Sequence, residues 1–350
     1  MKTVPEGGAS KEGNTNSRDE LFTVSKNVNF VQVPVSVKDD QGHLMPGLLP
    51  KDFSILEDGQ QQRITFFTSD PFPLSAAVVL DLAMSDQAVS RVRETLPAMI
   101  GAFGQFDEVS LFTYGNTVSR VQGFAPAQND VVIQTMKKLQ KNATGRSGGV
   151  PVTAGPMASG PSVNGHSIDP GAQATVNAPQ NPNLYRPESH VLNDAILQAA
   201  LELGKRDRTR RKVLFVVSNG RELGSDASYR EVLRVLQTQG ITVYAVGVEE
   251  AAMPGYRTLQ KIKLPGQGYG DILPKYAAAT GGQVFNEFTR TAIETAYNQV
   301  TQEARNQYTI GYLSKAPAQS PTFRSIEVRV HRPDVKVIAR DGYYPLPPAK

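Results

Sequence analysis

The two ends of the chain show a strict alternation of apolar and polar residues. Near the start, valines at every second position of residues 31–37 alternate with polar residues or proline, and the alternation returns in residues 308–312 and 326–337. A period of two is typical of a half-buried β-strand. Because two or three strands are not stable alone in water, the pattern predicts that both ends pair into one small, sandwich-like all-β domain.

Short strand and turn signals follow the first alternating segment. Residues 53–55 and 64–66 predict two strands, and the Glu-Asp-Gly sequence at residues 57–59 predicts a turn between them. Together with the first strand they predict a small antiparallel unit. Pro34 has no backbone N–H and lies on the polar face, which predicts an edge position for the first strand.

The middle of the chain has a different pattern, in which apolar runs alternate with helical periodicity. The apolar runs at residues 74–80, 109–112, 213–217 and 241–248 do not alternate, as is typical of buried parallel strands. This order predicts a doubly wound, mostly parallel, Rossmann-like α/β sheet inserted into the β domain. The helical patterns lie around Val92, Met136, Ile196, Val232 and Tyr297.

One long segment of the middle lacks core-forming residues. Residues 144–189 hold seven glycines, seven prolines and only four charges, so we expect a disordered loop, with a folding lid as the alternative. The predicted organisation is therefore a disordered lead over residues 1–20, a discontinuous β domain over residues 21–70 and 306–345, and an α/β domain over residues 71–305.

Composition excludes several classes of protein. Among 350 residues, 39% are hydrophobic and none is cysteine, so a wholly disordered chain and a thiolate site are both excluded. With 37 basic and 33 acidic residues the charge is too balanced for a nucleic-acid partner. The basic run at residues 205–212 is interpreted as a solvated loop, with an anionic partner as the alternative.

No apolar run reaches the about 20 residues of a membrane span, and residues 1–20 contain no export signal.

Polar residues follow two of the predicted strands, at the edge where ligands of open α/β sheets bind. Asp81, Ala83 and Ser85 follow the first apolar run, and Asn219 follows the third. His190 begins the helix that comes after the long loop.

These three places resemble the metal-ion-dependent adhesion site of a von Willebrand factor type A domain. The family pattern is Asp-x-Ser-x-Ser, then a Thr, then an Asp in a Ser-Asp-Gly turn, and its oxygens suit Mg²⁺. This chain keeps Asp81 and Ser85, but Ala83 replaces the middle Ser, His190 stands where the Thr is expected, and Asn219 replaces the Asp. The resemblance implies a degenerate metal site and ligand-binding face formed by Asp81, Ser85, His190 and Asn219.

We expect no cofactor at this site, with weak Mg²⁺ binding as the alternative, because one carboxylate and one hydroxyl make a poor cation cage. Asp81 and Ser85 also have a purely structural interpretation, since both residue types stabilise the start of a helix. His190 can equally be an ordinary imidazole at a helix start.

Two sets of segments flank the middle domain: residues 33–37, 52–53, 57–59 and 62–67 before it, and residues 323–328, 332–333 and 342–345 after it. These flanks resemble those of the acidobacterial VWFA-related domain family. The resemblance implies an exported bacterial protein in the extracellular space, periplasm or cell envelope.

The sequence predicts a non-catalytic module that binds a protein or another macromolecule through the top face of the α/β domain. A Mg²⁺-dependent adhesin is the first alternative. An uncharacterised hydrolase is the second, since residues 145–149 read G-x-S-x-G, but this string lacks the strand-to-helix turn that the motif requires.

Overall fold

The computed structural model describes residues 29–141, 162–163, 166–167, 189–248, 270–287, 289–315 and 322–345. The predicted lead over residues 1–20 and nearly all of the predicted 144–189 loop lie outside these ranges. Within that loop, two short strands, Ser162–Val163 and His166–Ser167, pair antiparallel.

Within the described ranges the chain forms sixteen strands and six α-helices. The strands are β1 (Phe30–Lys38), β2 (Phe53–Glu57), β3 (Gln60–Gln62), β4 (Ile64–Thr68), β5 (Leu74–Asp81), β6 (Glu108–Tyr114), β7 (Val118–Pro126), β8 (Ser162–Val163), β9 (His166–Ser167), β10 (Arg211–Ser218), β11 (Thr242–Gly247), β12 (Val284–Asn286), β13 (Tyr308–Leu313), β14 (Arg324–Val330), β15 (Lys336–Ala339) and β16 (Gly342–Tyr343). The helices are α1 (Asp86–Ala102), α2 (Asp130–Lys141), α3 (Leu192–Gly204), α4 (Tyr229–Gln239), α5 (Leu273–Thr280) and α6 (Arg290–Arg305).

A mostly parallel sheet forms the centre of the molecule, in the strand order β12-β11-β10-β5-β6-β7 among the described strands. The four predicted apolar runs are β5, β6, β10 and β11, which pair parallel with their neighbours. Every residue of β5 and β10 is buried, which explains why neither strand alternates. Only β7 runs antiparallel, at the edge.

Helices cover both faces of this sheet, as the alternation of strands and helices predicts. Residues of α1, α2 and α6 pack with one face in a single apolar cluster, and residues of α3, α4 and α5 pack with the other. The doubly wound architecture is therefore confirmed. Three of its elements, the edge strands β7 and β12 and the short helix α5, were not predicted.

The two chain ends pair with each other, as their alternation predicts. Strand β1 lies between β13 and β15 in one sheet, and β2 pairs with β14 in another. The two sheets share one apolar cluster to which Val33, Ile55, Ile310 and Ile326 belong. We call these two sheets the β unit; its treatment as a separate domain with the predicted bounds stays a prediction.

Two expectations about the β unit are wrong in detail. The strand containing residues 64–66 does not pair with β2: after β3 the chain crosses to the other sheet, where β4 pairs with β13. Pro34 is not on an edge strand, since β1 has a neighbour on each side. Strand β15 pairs only with Val35–Lys38, however, so Pro34 itself lies beside a paired strand on one side only.

The basic run at residues 205–212 is not simply a solvated loop. Arg206 forms two hydrogen bonds to Glu108, at 2.8 and 2.6 Å. Arg211 and Lys212 belong to β10 and are buried. The guanidinium of Arg211 donates hydrogen bonds to Gln307 and Thr309, beneath the β unit. These cations are used inside the protein, which weakens the case for an anionic partner. None of the helices in the described ranges has both the length and the apolar character of a membrane span.

Candidate functional site

The candidate site lies where three neighbouring parallel strands end. Asp81 ends β5, Tyr114 ends β6 and Ser218 ends β10. The register places Asp81 directly beside Tyr114, and Leu80 beside Val217, so that Ser218 follows on the other side. The carboxyl ends of these strands therefore bring three polar side chains together below the loops.

Asp81 is buried and is held by hydroxyl and amide donors. Its Oδ2 lies 2.9 Å from the Tyr114 hydroxyl and 2.8 Å from Ser218 Oγ, and these two oxygens are 2.8 Å apart. Its Oδ1 accepts the Ala83 N–H at 2.8 Å. We call Asp81, Tyr114 and Ser218 the hydroxyl cluster.

The surroundings of Tyr114 keep its hydroxyl protonated. Burial is the main reason that its pKa is raised well above the ordinary value, and the carboxylate of Asp81 raises it further. A protonated phenol donates a hydrogen bond, so Tyr114 acts as a donor to the Asp81 carboxylate.

His190 lies beside the hydroxyl cluster, as its predicted site role requires. Its Nδ1 is 3.8 Å from Asp81 Oδ2, beyond hydrogen-bonding distance, and its side chain is only 8% exposed. This nitrogen is a buried atom without a hydrogen-bond partner among the described residues. The backbone of His190 is fixed by two hydrogen bonds to Leu223, one in each direction.

Ser85 and Asn219 make local contacts. Ser85 is the N-cap of α1, and its side chain accepts the Ala88 N–H, as its structural interpretation predicts. Asn219 is buried, and its Oδ1 accepts the Arg221 N–H at 3.1 Å.

Gly220, next to Asn219, has a φ of +76° and packs closely on Asp271. A Cβ at this position would overlap the Asp271 carboxylate, so the turn after β10 requires glycine.

The donor set does not fit a magnesium site. Mg²⁺ requires near-octahedral oxygen ligands at about 2.0–2.1 Å. Here the hydroxyls of Tyr114 and Ser218 lie against Oδ2 of Asp81, an N–H donates to Oδ1, and Ala83 presents a methyl group. Within the described part of the chain, no group of three or more Asp, Glu or His side chains could hold a metal ion.

Above the hydroxyl cluster, loops from separate parts of the chain form one surface. The Leu82 N–H donates to the Tyr114 carbonyl, the Val191 N–H to the Gly115 carbonyl, and Ser189 donates to Asn116 Oδ1. With the His190–Leu223 pair, these bonds connect four loops. We call this the carboxyl-end surface, with Ser85, Asn116, Ser189, Arg221 and Leu223 as its solvent-accessible members.

The sequence did not identify Tyr114 or Ser218 as site residues, although both end strands at the edge where ligands bind. Tyr114 lies two residues after the predicted apolar run at residues 109–112, and that position was the available signal. The hydrolase string at residues 145–149 lies outside the described residues.

No family model and no curated protein matches the chain. Among solved structures, a von Willebrand factor type A protein from Catenulispora acidiphila is similar at 8% identity and a TM-score of 0.44, covering 91% of this chain and 74% of that one. BatB from Bacteroides thetaiotaomicron is similar at 11% identity and a TM-score of 0.41, covering 66% and 98%. Proximal thread matrix protein 1 from the mussel byssus, with a zinc-occupied MIDAS motif, is similar at 14% identity and a TM-score of 0.41. The match covers 72% of this chain and 50% of that one.

These likenesses concern the fold, and the architecture is established by this chain's own strand order and helix layers. The sheet is doubly wound and mostly parallel, with helices on both faces and the candidate residues at its carboxyl edge. The chain thus has the architecture that its resemblance to type A domains implies, and the narrower resemblance to the acidobacterial group stays a prediction.

Proposed function

We propose that the protein is a non-catalytic module that binds a protein or another macromolecule through the carboxyl-end surface without a metal ion. The observation that carries this proposal is the joining of four loops by backbone and side-chain hydrogen bonds. A surface that is already ordered loses little conformational entropy on binding, which favours affinity. Leu223 supplies an apolar contact there, since its side chain is 39% exposed amid polar neighbours.

The chemistry below this surface supports a non-catalytic role. Ser218 and Asp81 are 0% and 1% exposed, so the hydroxyl and the carboxylate beside it are shielded from a substrate, whereas a catalytic nucleophile must reach one. The raised pKa of Tyr114 disfavours a phenolate nucleophile at neutral pH. His190 Nδ1 lies too far from Asp81 for the hydrogen bond that orients a catalytic histidine.

The proposal includes a bacterial, extracellular or cell-envelope location. This part rests on the sequence resemblance of the chain ends, whose strands form the β unit. In this proposal the β unit is a sandwich-like domain that presents the α/β domain.

Site-specific photocrosslinking tests the proposal. A photoreactive phenylalanine analogue replaces Leu223 in one variant and Phe106 in a matched control. Phe106 is 74% exposed and directly precedes Asp107 and β6, at the opposite end of the sheet. Both proteins are irradiated with the cell-envelope fraction of the native host, with and without EDTA.

We expect a discrete crosslinked species from position 223 that persists in EDTA and is absent from position 106. Excess unlabelled protein should compete for it, whereas the Leu223→Arg variant should not. Crosslinking from position 106 alone would refute the proposed surface. Loss of the species in EDTA would instead support the metal-dependent adhesin.

A further inference from the structure

The hydroxyl of Tyr114 donates to Oδ2 of Asp81, a carboxylate oxygen that a cation would need as a ligand. It lies 2.9 Å from Oδ2, while Ser218 Oγ lies 2.8 Å from the same oxygen. Ser218 Oγ also accepts the Gly220 N–H at 2.9 Å, so the cluster extends into the turn that carries Asn219. Three strand ends are joined through these oxygens.

Tyr114 is fixed in this position by burial of its ring. The residue is 1% exposed, and its ring packs in the apolar cluster on the α3, α4 and α5 face of the sheet. Rotation of this ring away from Asp81 would disrupt that packing, because buried side chains sit in close-packed, low-energy rotamers. The hydroxyl is therefore built into the fold.

His190 gives an independent indication that the hydroxyls alone saturate this oxygen. Its Nδ1 lies 3.8 Å from Asp81 Oδ2 and has no hydrogen-bond partner among the described residues. A buried polar atom without a partner costs free energy. That His190 does not close this gap is consistent with an Oδ2 already occupied by two hydroxyls.

We infer that Tyr114 is a positioning residue that replaces a cation at Asp81, with the support of Ser218, and makes the carboxyl-end surface insensitive to divalent ions. This inference deepens the proposed metal-independent function and rests on it. It has a specific consequence: restoring the ligands that the sequence lacks gives only weak metal binding while Tyr114 is present. The cause of cation independence is then Tyr114 and not only the residues at positions 83, 190 and 219.

The test compares four purified proteins by isothermal titration with Mg²⁺ and with Mn²⁺. They are the wild type, Tyr114→Phe alone, a triple variant with Ala83→Ser, His190→Thr and Asn219→Asp, and a quadruple variant that adds Tyr114→Phe to the triple. We expect binding by the quadruple variant at least tenfold tighter than by the triple variant, and none by the wild type.

A tyrosine remote from Asp81 is the matched control. Tyr297 is fully buried and its hydroxyl lies 2.8 Å from Thr95 Oγ1, so Tyr297→Phe added to the triple variant removes a comparable hydroxyl without freeing Asp81. It should leave metal binding unchanged. Equal binding by the triple and quadruple variants would overturn the inference, and so would a folded quadruple variant that binds neither ion.

The single variant keeps the inference testable if the quadruple variant does not fold. Tyr114→Phe should lower the melting temperature and create new ion dependence, so that millimolar Mn²⁺ restores part of the loss. The same ion should not restore stability to Tyr297→Phe. Absence of any ion effect on Tyr114→Phe would contradict the inference. Because all these readouts are metal binding, they can fail while photocrosslinking at position 223 succeeds, and the reverse.

Discussion

The two ends of the central sheet both bury carboxylates but compensate their charge in different ways. At the amino end, Asp107 pairs with Arg305 at 2.5 Å, and Glu108 pairs with Arg206 at 2.6 Å. At the carboxyl end, Asp81 is held by hydroxyls, and no arginine or lysine among the described residues forms an ion pair with it.

The difference lies in what each kind of donor can do. A guanidinium can only donate, whereas a hydroxyl can turn its hydrogen and accept instead. The arginines at the amino end therefore require that their carboxylate partners stay negatively charged. The hydroxyls at the carboxyl end can instead adjust to a change of charge at Asp81.

The largest effect is expected at Asp107, a hydrogen-bonded carboxylate of the amino end. Its two oxygens accept the N–H groups of Leu74 and Gly104, and one also accepts Arg305. Asp107→Asn places an NH₂ group against donors and leaves Arg305 without its partner charge. We expect a loss of about 3 kcal/mol in the free energy of unfolding, measured by urea denaturation.

Glu94→Gln is the control for Asp107→Asn. Glu94 is 54% exposed and lies 3.9 Å from Arg290, so its removal should not change stability measurably. A similarly small effect of Asp107→Asn would show that the amino end does not depend on this charge.

A second prediction concerns backbone packing at the carboxyl end. Gly220 has a positive φ, and an added Cβ would overlap Asp271; Gly240 also has a positive φ, of +64°, but the nearest atom to an added Cβ is 3.8 Å away. We expect Gly220→Ala to cost about 2 kcal/mol and Gly240→Ala about 1 kcal/mol. Thermal unfolding of both variants measures the difference.

The double variant Gly220→Ala with Asp271→Ala separates steric overlap from backbone strain. Part of the loss should be recovered when the carboxylate is absent. No difference between the two glycine variants would mean that the turn after β10 does not pack on Asp271 in solution.

A third prediction uses the pH dependence of the amino end. Burial acts to raise the pKa of Glu108, but the hydrogen bonds from Arg206 and Ser75 and the charges of Arg206 and Arg210 outweigh it and hold the pKa below its ordinary value. A carboxylate whose pKa is lowered by folding stabilises the protein above its unfolded-state pKa of about 4.3. This stabilisation is lost as the pH falls through the lowered folded-state value.

Glu108→Gln should therefore be less stable than the wild type by about 1.5 kcal/mol at pH 7. The difference should shrink steadily below about pH 4, where the wild-type carboxylate becomes protonated. Urea unfolding of both proteins between pH 3 and pH 7 checks this. A difference independent of pH would assign the effect to packing instead of charge.

The local patterns explain how much of this architecture the sequence predicts. The apolar runs of β5 and β10 are continuous because both strands are buried on both faces, and the alternation of β1 reflects a sheet with one buried face. Strand β7 has no such pattern, since it is a half-exposed edge strand with irregular register. Its neighbours, not its residues, determine its structure.

The site was predicted only in part for the same reason. The proximity of His190 to Asp81 follows from the family resemblance across a long loop, and no periodicity indicates it. The role of Tyr114 depends on which strands are adjacent and where each one ends, which no local pattern contains. Comparison with the metal-site pattern shows which ligands are missing from this chain. It does not show that the Tyr114 hydroxyl lies against Asp81, because the pattern has no position for that residue.

The smallest effect is expected from Asp81→Asn at the carboxyl end. The side-chain oxygen of asparagine can still accept the Ala83 N–H, and its NH₂ group can donate to Tyr114 or Ser218, whose hydroxyls turn to accept. We expect a loss of less than about 1 kcal/mol, well below that of the chemically identical change Asp107→Asn. Crosslinking from position 223 should also persist. If Asp81→Asn instead destabilises the protein as much as Asp107→Asn, the negative charge of Asp81 is itself required for stability. Equal losses at the two ends would thus remove the distinction between hydroxyl and guanidinium compensation.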